Sequence, residues 1–175
     1  PRLDLANEEL VRAHVNSIWL AETGCYLGQS LPEILDVEGE SPTLRILPSI
    51  HDDLTRESAI RTARTKASAV IKTLTNPLEE STWYTERWLD DVLNQTLLAF
   101  EQACERWRSL FQAAKDQFRK QNSIIEDVSK QSEWNRAKQL RREAEAQIGL
   151  LTDTKRIMQS DFYSYRYFAS EGFLP

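Results

Sequence analysis

The tightest constraint on the fold is a row of mostly apolar residues spaced by alternating fours and threes: Leu89, Leu93, Thr96, Phe100, Ala103, Trp107, Leu110, Ala114 and Phe118. Spacing that averages 3.5 residues keeps one stripe aligned along a helix that packs, supercoiled, on another. Ile125 and Val128 rejoin the stripe after a polar break at Gln121 and Asn122. The partner follows at once. Ser132 is placed to cap a second charged helix carrying Trp134, Ala137, Leu140, Ala144, Ile148 and Leu151. A short polar turn at Ser129 to Gln131 folds the two into an antiparallel hairpin that projects as an arm.

Upstream, Asn7 is a natural cap for a first helix, Glu8 and Glu9 suit its positive end, and Gly24 stops it. Leu10, Val11, Ala13, His14, Ile18 and Ala21 form its apolar stripe, which Val15 and Trp19 widen, so this helix is expected between partners. Ser30-Leu-Pro-Glu33 reads as a capping box opening a short helix through Leu35. Asp36 to Pro48 is the main irregular connection. One helix is expected from Ser49 to Thr73, with Leu54, Ile60, Ala63, Ala67, Val70, Ile71 and Leu74 inward and Asn76-Pro77 ending it. A linker through Ser81 and Thr82 leads to the long helix, expected to begin near Tyr84.

With only five Gly and six Pro, an all-β fold with frequent turns is excluded and an all-α fold expected. The chain is 41% hydrophobic and 28% charged, which is globular composition, and no apolar run approaches the ~18 residues of a membrane span. Cys25 and Cys104, far apart and in no metal-ligand cluster, read as buried thiols of a cytoplasmic protein. No Gly-rich phosphate loop or nucleophile elbow occurs. His14 reads as a core histidine, and His51 beside Asp52 and Asp53 as an ordinary helix start. Asp90-Asp91 and Glu79-Glu80 are adjacent pairs, which diverge by ~100° on a helix and form no acid–base dyad. No catalytic or metal-binding residue is assigned.

The basic residues carry the functional reading. Arg56, Arg61, Arg64, Lys66 and Lys72 make the helix before Asn76 positive, and Arg56, Arg61 and Arg64 are expected to share a face. Lys138, Arg141 and Arg142 add a second patch on the hairpin, partly offset by Glu143 and Glu145. Both suit phosphates, whose recognition needs charge more than fixed geometry, although a net charge of −5 excludes a wholly basic binder. Trp83, Trp88, Trp107 and Trp134 read as packing residues, since Trp107 lies on the stripe and Trp134 opens the facing helix.

The final fifteen residues, Asp161-Phe-Tyr-Ser-Tyr-Arg-Tyr-Phe-Ala-Ser-Glu-Gly-Phe-Leu-Pro175, include six aromatics and no polar tail. With a start at Pro1, this reads as a piece of a larger protein whose continuation covers Phe173 and Leu174. That terminal stretch and Asn7-Glu-Glu-Leu-Val-Arg-Ala-His-Val-Asn-Ser-Ile-Trp-Leu-Ala-Glu-Thr23 resemble a region of very large bacterial superfamily-2 DEAD/DEAH-box helicases. These include the helicase of the DISARM phage-defence system and relatives with an MrfA-type C-terminal zinc-binding domain. In that family the first motif follows the second RecA-like domain and the last leads into the C-terminal domain. Trp107-Arg108 and Arg141-Arg142-Glu143-Ala144-Glu145 look like the family's helical insert.

The resemblance implies a non-catalytic accessory domain of an ATP-dependent DNA helicase, guiding nucleic acid or coupling the motor to the C-terminal domain. ATP and Mg, bound by the parent, and the zinc ligands fall outside this segment. The implied partners are nucleic acid, DNA before RNA, and the flanking helicase domains. The expected organisation is a helical cluster (1–78), a hairpin arm (79–159) and an aromatic tail (160–175) docked through Tyr165 and Phe168. The competing reading is a protein-interaction scaffold, for which apolar Ile124, Ile125 and Val128 at the hairpin tip would serve a partner.

Overall fold

The computed structural model describes residues 7–25, 27, 28, 30–74, 78, 81–152 and 163–175. Asn76-Pro77, Glu79-Glu80 and the start of the aromatic tail at 160–162 lie outside the described residues. The fold is all-α. Its helices are α1 (Glu8–Thr23), α2 (Pro48–Leu54), α3 (Glu57–Thr73), α4 (Trp88–Glu126), α5 (Trp134–Thr152) and α6 (Tyr163–Ser170). Single 3-10 segments at Leu31–Glu33 and Val128–Glu133 complete the described elements. α1 packs on α2, α3 and α4, α3 also packs on α4, and α5 pairs with α4 along the hairpin.

Local chemistry sets α1 as expected. The Asn7 side chain accepts from the backbone N–H groups of Glu9 (3.0 Å) and Leu10 (3.3 Å), and Gly24 closes the helix at φ 66°. The burial differs in detail. Val11, Ala13, Val15, Trp19 and Leu20 are buried, His14 is half-buried and Ala21 is exposed. Asn16 is also buried, because its amide donates to the Phe173 carbonyl at 3.1 Å. The Ser30–Glu33 box makes one 3-10 turn rather than a helix through Leu35, with the Ser30 N–H donating to the Glu33 carboxylate at 3.2 Å. Gly28, at φ +68°, lies so close to Glu33 that a Cβ there would sit 2.2 Å from its carboxylate and 2.9 Å from its Cβ.

The expected helix from Ser49 to Thr73 is broken into α2 and α3. Thr55 ends α2, its hydroxyl donating back to the His51 carbonyl at 2.8 Å, and Arg56 is extended at ψ 116°. α3 then buries Ala59, Ala63, Ala67 and Ile71, a four-residue ridge of mostly small side chains that lets neighbouring helices approach closely, and leaves Val70 exposed.

α4 starts at Trp88 rather than near Tyr84 and runs 39 residues, about 58 Å. Its stripe holds through Trp107 and then shifts: Phe111 is buried and Leu110 exposed. Phe100, Ala103, Trp107 and Phe111 step by three, four and four, an eleven-residue unit that locally unwinds a supercoil. Gln121 is buried in the α4–α5 seam, so the polar break expected there is part of the packing. Opposite it α5 buries Ala137, Ala144 and Leu151. At the turn, Asp127 replaces Ser132 as the cap, accepting from the Ser129 hydroxyl (2.6 Å) and N–H (2.9 Å). Those two bonds hold the Asp127 carboxyl below the ordinary carboxylate range. The Trp134 indole N–H donates to the carbonyls of Ile124 (3.0 Å) and Asp127 (3.1 Å), pinning the turn to the end of α4.

Phe173 and Leu174 are covered from within this chain. Phe168 stacks on Phe100 at 4.7 Å, and Phe173 sits edge-on to Trp19 (6.3 Å) and Phe100 (5.4 Å). Phe168 is an anchor as expected, but Tyr165 is 40% exposed and the second anchor is Tyr167. The Tyr167 hydroxyl donates to the Ala103 carbonyl (2.6 Å) and accepts the Trp107 N–H (3.1 Å), the pair whose direct bond closes a helical turn. Burial raises the Tyr167 phenol to about 12, so it stays a donor.

Tyr167→Phe should therefore lower unfolding free energy by about 1–2 kcal/mol, whereas Tyr165→Phe should change it by less than about 0.5 kcal/mol. Chemical denaturation of the two variants checks the contrast. Gly28→Ala should cost about 1–3 kcal/mol in the same assay, because it adds a methyl where Glu33 packs and strains a positive φ.

Candidate nucleic-acid interface

The structure separates the two basic patches that the sequence puts on an equal footing. On the helical cluster, most of the charge is tied into the fold. Arg56 pairs with Asp53 and donates to the Thr23 carbonyl (3.3 Å) at the end of α1. Arg64 pairs with Asp90 on α4 at 3.0 Å, and Lys66 pairs with Glu22 on α1. Arg56 is extended and lies just before α3, whereas Arg61 and Arg64 adjoin on the helix, three residues apart, with Arg64 engaged by α4. Arg61 and Lys72 remain exposed on the outer side of α3, eleven residues and about 16 Å apart.

The hairpin differs. Lys115, Arg119 and Asn122 lie one turn apart on α4, and Lys138, Arg141 and Arg142 are neighbours on α5. Arg141 donates to the Asn122 side chain at 3.0 Å across the seam, which sets these two stripes on the same side of the hairpin. Lys138 and Arg142 are exposed and form no ion pair among the described residues. Arg119 has only a loose pair with Asp116 at 3.6 Å, and Lys115 lies over the Phe111 ring at 5.9 Å. The opposite side carries Gln117, Lys120, Arg136 and Glu143 and is more mixed. Between Lys115 and Glu145, eight Lys and Arg stand against six Asp and Glu, on a chain whose net charge is −5, and Glu145 lies on the same stripe of α5 as Lys138, Arg141 and Arg142. Lys115 and Arg119 escaped the sequence reading because they stand some twenty residues from Lys138 and meet it only when the hairpin closes.

A groove of about 330 Å³ runs beside this face, lined by Glu40, Lys115, Phe118, Arg119, Asn122, Ser123 and Glu126. Glu40 belongs to the 36–46 loop, which is firmly held. Leu35 and Ile46 form an antiparallel bridge, and the Asp36 carboxylate accepts the Thr43 hydroxyl (2.7 Å) and N–H (3.2 Å). Those bonds draw the Asp36 carboxyl below the ordinary range. Leu44 sits at φ 57°, a conformation rarely taken by a branched side chain. Its carbonyl accepts from Arg108 Nε at 2.8 Å. Arg108 is 13% exposed and is itself held by Glu101 (2.8 Å) and Glu105 (2.6 Å) on the same helix.

The remaining sequence candidates lie elsewhere. Trp107 is buried and stacked on Phe111 at 5.1 Å, and Trp88 is buried with its N–H on Glu8 at 3.0 Å, so both pack as expected. Trp83 and Trp134 are half-buried. At the hairpin tip Ile124 and Ile125 are half-buried and Val128 is 75% exposed. Burial pushes the Cys25 thiol up to about 11 and Cys104 to about 12, so neither supplies a thiolate at neutral pH.

Replacing Arg108 by Met removes the donor that holds the Leu44 carbonyl. The expected result is a loss of about 1–3 kcal/mol and faster amide exchange at Leu44 and Asp36, read by denaturation and hydrogen exchange.

No family model, curated protein or solved structure matches the chain.

Proposed function

We propose that this chain is a non-catalytic helical accessory domain of an ATP-dependent DNA helicase, and that its hairpin guides a nucleic-acid strand past the motor. The observation that carries the reading is the predominantly basic face on which Lys115, Arg119, Lys138, Arg141 and Arg142 outnumber Glu126 and Glu145, on an otherwise acidic chain. Charge segregated in this way attracts phosphate without needing base contacts. The likeness of Asn7–Thr23 and Asp161–Pro175 to the large superfamily-2 helicases supports the parent class. ATP and Mg belong to the motor of that parent.

Coupling to a C-terminal domain is supported by a separate observation. Tyr167 on α6 bonds directly into the backbone of α4, and Glu171 pairs with Arg106, so force applied at the C-terminal end reaches the helix that bears the arm.

Fluorescence anisotropy of the chain with single- and double-stranded DNA tests the guiding role. With about four phosphates engaged, affinity for a single strand should fall roughly 50-fold between about 50 and 200 mM salt. Reversing Arg119, Lys138 and Arg142 to Glu should flatten the log–log salt slope by about 2. Arg61→Glu should change it by less than about 1. No binding at low salt, or a slope untouched by the triple reversal, would overturn the reading and favour a protein scaffold.

A further inference from the structure

We infer that Glu40 is a built-in competitor for phosphate on the hairpin's basic face, setting how strongly that face holds nucleic acid. The inference rests on the nucleic-acid reading above and goes beyond it by assigning a determinant outside the hairpin. Three observations carry it. Glu40 lines the same groove as Lys115 and Arg119, opposite the helix that bears them. Its loop is held in register by the Leu35–Ile46 bridge and the Asp36–Thr43 bonds, which fix the base of the loop whose tip carries Glu40 beside α4. The loop is also bound to α4 itself, through Arg108 and the strained Leu44, about three turns from Arg119. Backbone strain of that kind persists only where surrounding contacts over-determine it.

The groove thus brings two cations, Lys115 and Arg119, against two carboxylates, Glu40 and Glu126. Glu126 lies on the hairpin itself and shares a hydrogen bond with Asn122 at 3.1 Å. Glu40 is exposed and forms no ion pair among the described residues, so its field acts on the groove as a whole. An arriving phosphate must occupy space next to this carboxylate, and like charges at close range oppose binding even in a well-solvated setting. Binding is then weak to an isolated phosphodiester and accumulates only along a strand that engages the rest of the face, Lys138 and Arg142 included. This suits a guide that must release its strand as the motor moves.

The test is a comparison of Glu40→Gln with Asp52→Asn, which removes one negative charge from exposed α2 and leaves the groove intact. Anisotropy with a fluorescent single-stranded oligonucleotide at low salt is the readout. Glu40→Gln should tighten binding about three-fold to five-fold, and the gain should shrink as salt rises. Asp52→Asn should stay within about 1.5-fold of the parent. The gain of Glu40→Gln should also disappear when Lys115 and Arg119 are changed to Gln. If the parent chain binds but Glu40→Gln matches Asp52→Asn, the competitor role is wrong while the guiding role stands. If neither the parent nor Glu40→Gln binds at low salt, both are wrong.

Discussion

The bond pair made by the Tyr167 hydroxyl is the point on which the rest of the arrangement turns. A phenol that donates to the Ala103 carbonyl and accepts the Trp107 N–H joins the ladder of α4 at one fixed height. That height places Phe168 on Phe100 and brings Phe173 within edge-on contact of Trp19. The Phe173 carbonyl then satisfies Asn16, a buried amide on α1 that would otherwise carry a desolvation cost of about 1–3 kcal/mol. Three segments remote in sequence are therefore locked by one small polar contact inside an aromatic cluster. The apolar packing supplies most of the energy, and the hydroxyl supplies the register. The same stretch of α4 is where its packing stripe shifts from Leu110 to Phe111.

Charge follows a similar division of labour. Arginine and lysine residues of the helical cluster tie its elements together, with Arg56 closing the end of α1, Arg64 reaching α4 and Lys66 reaching α1, while Arg108 on α4 holds the 36–46 loop. Exposed pairs of this kind each contribute little, about 0–1 kcal/mol, but they consume cations that would otherwise face solvent. On the distal hairpin Lys138 and Arg142 form no ion pair among the described residues, so their charge stays on the surface. An arm with a small-residue seam at Ala114, Ala137 and Ala144 keeps its two helices close, which draws charges from both into one narrow face. Glu40, delivered by a loop from the other half of the chain, is the acidic neighbour that this face acquires through folding.

Much of this could be read from residue spacing. The caps at Asn7 and Gly24, the long helix, the antiparallel hairpin and the inward Trp107 and Phe168 follow from periodicity and local backbone chemistry. What spacing could not supply was any choice between near-equivalent neighbours. Leu110 and Phe111 both fit a heptad stripe, and Tyr165 and Tyr167 both fit an anchoring role. The winner in each case is set by what lies opposite. Ser132 suits a cap by residue type, but it falls inside a 3-10 turn capped by Asp127, which the Trp134 indole pins to the carbonyls of Ile124 and Asp127. The break at Thr55 and Arg56 was hidden for the same reason, since the carbonyl that Arg56 serves belongs to α1.

By itself, then, the sequence determined the helical class, the hairpin and the excess of cations around it, because these depend on interactions within a few turns of chain. Only the tertiary structure decided which cations are tied up, which aromatic sets the register, and which acid borders the basic face. Those outcomes depend on groups between about thirty and eighty residues apart, whose meeting is paid for by burial of the core and leaves no periodic trace in the chain.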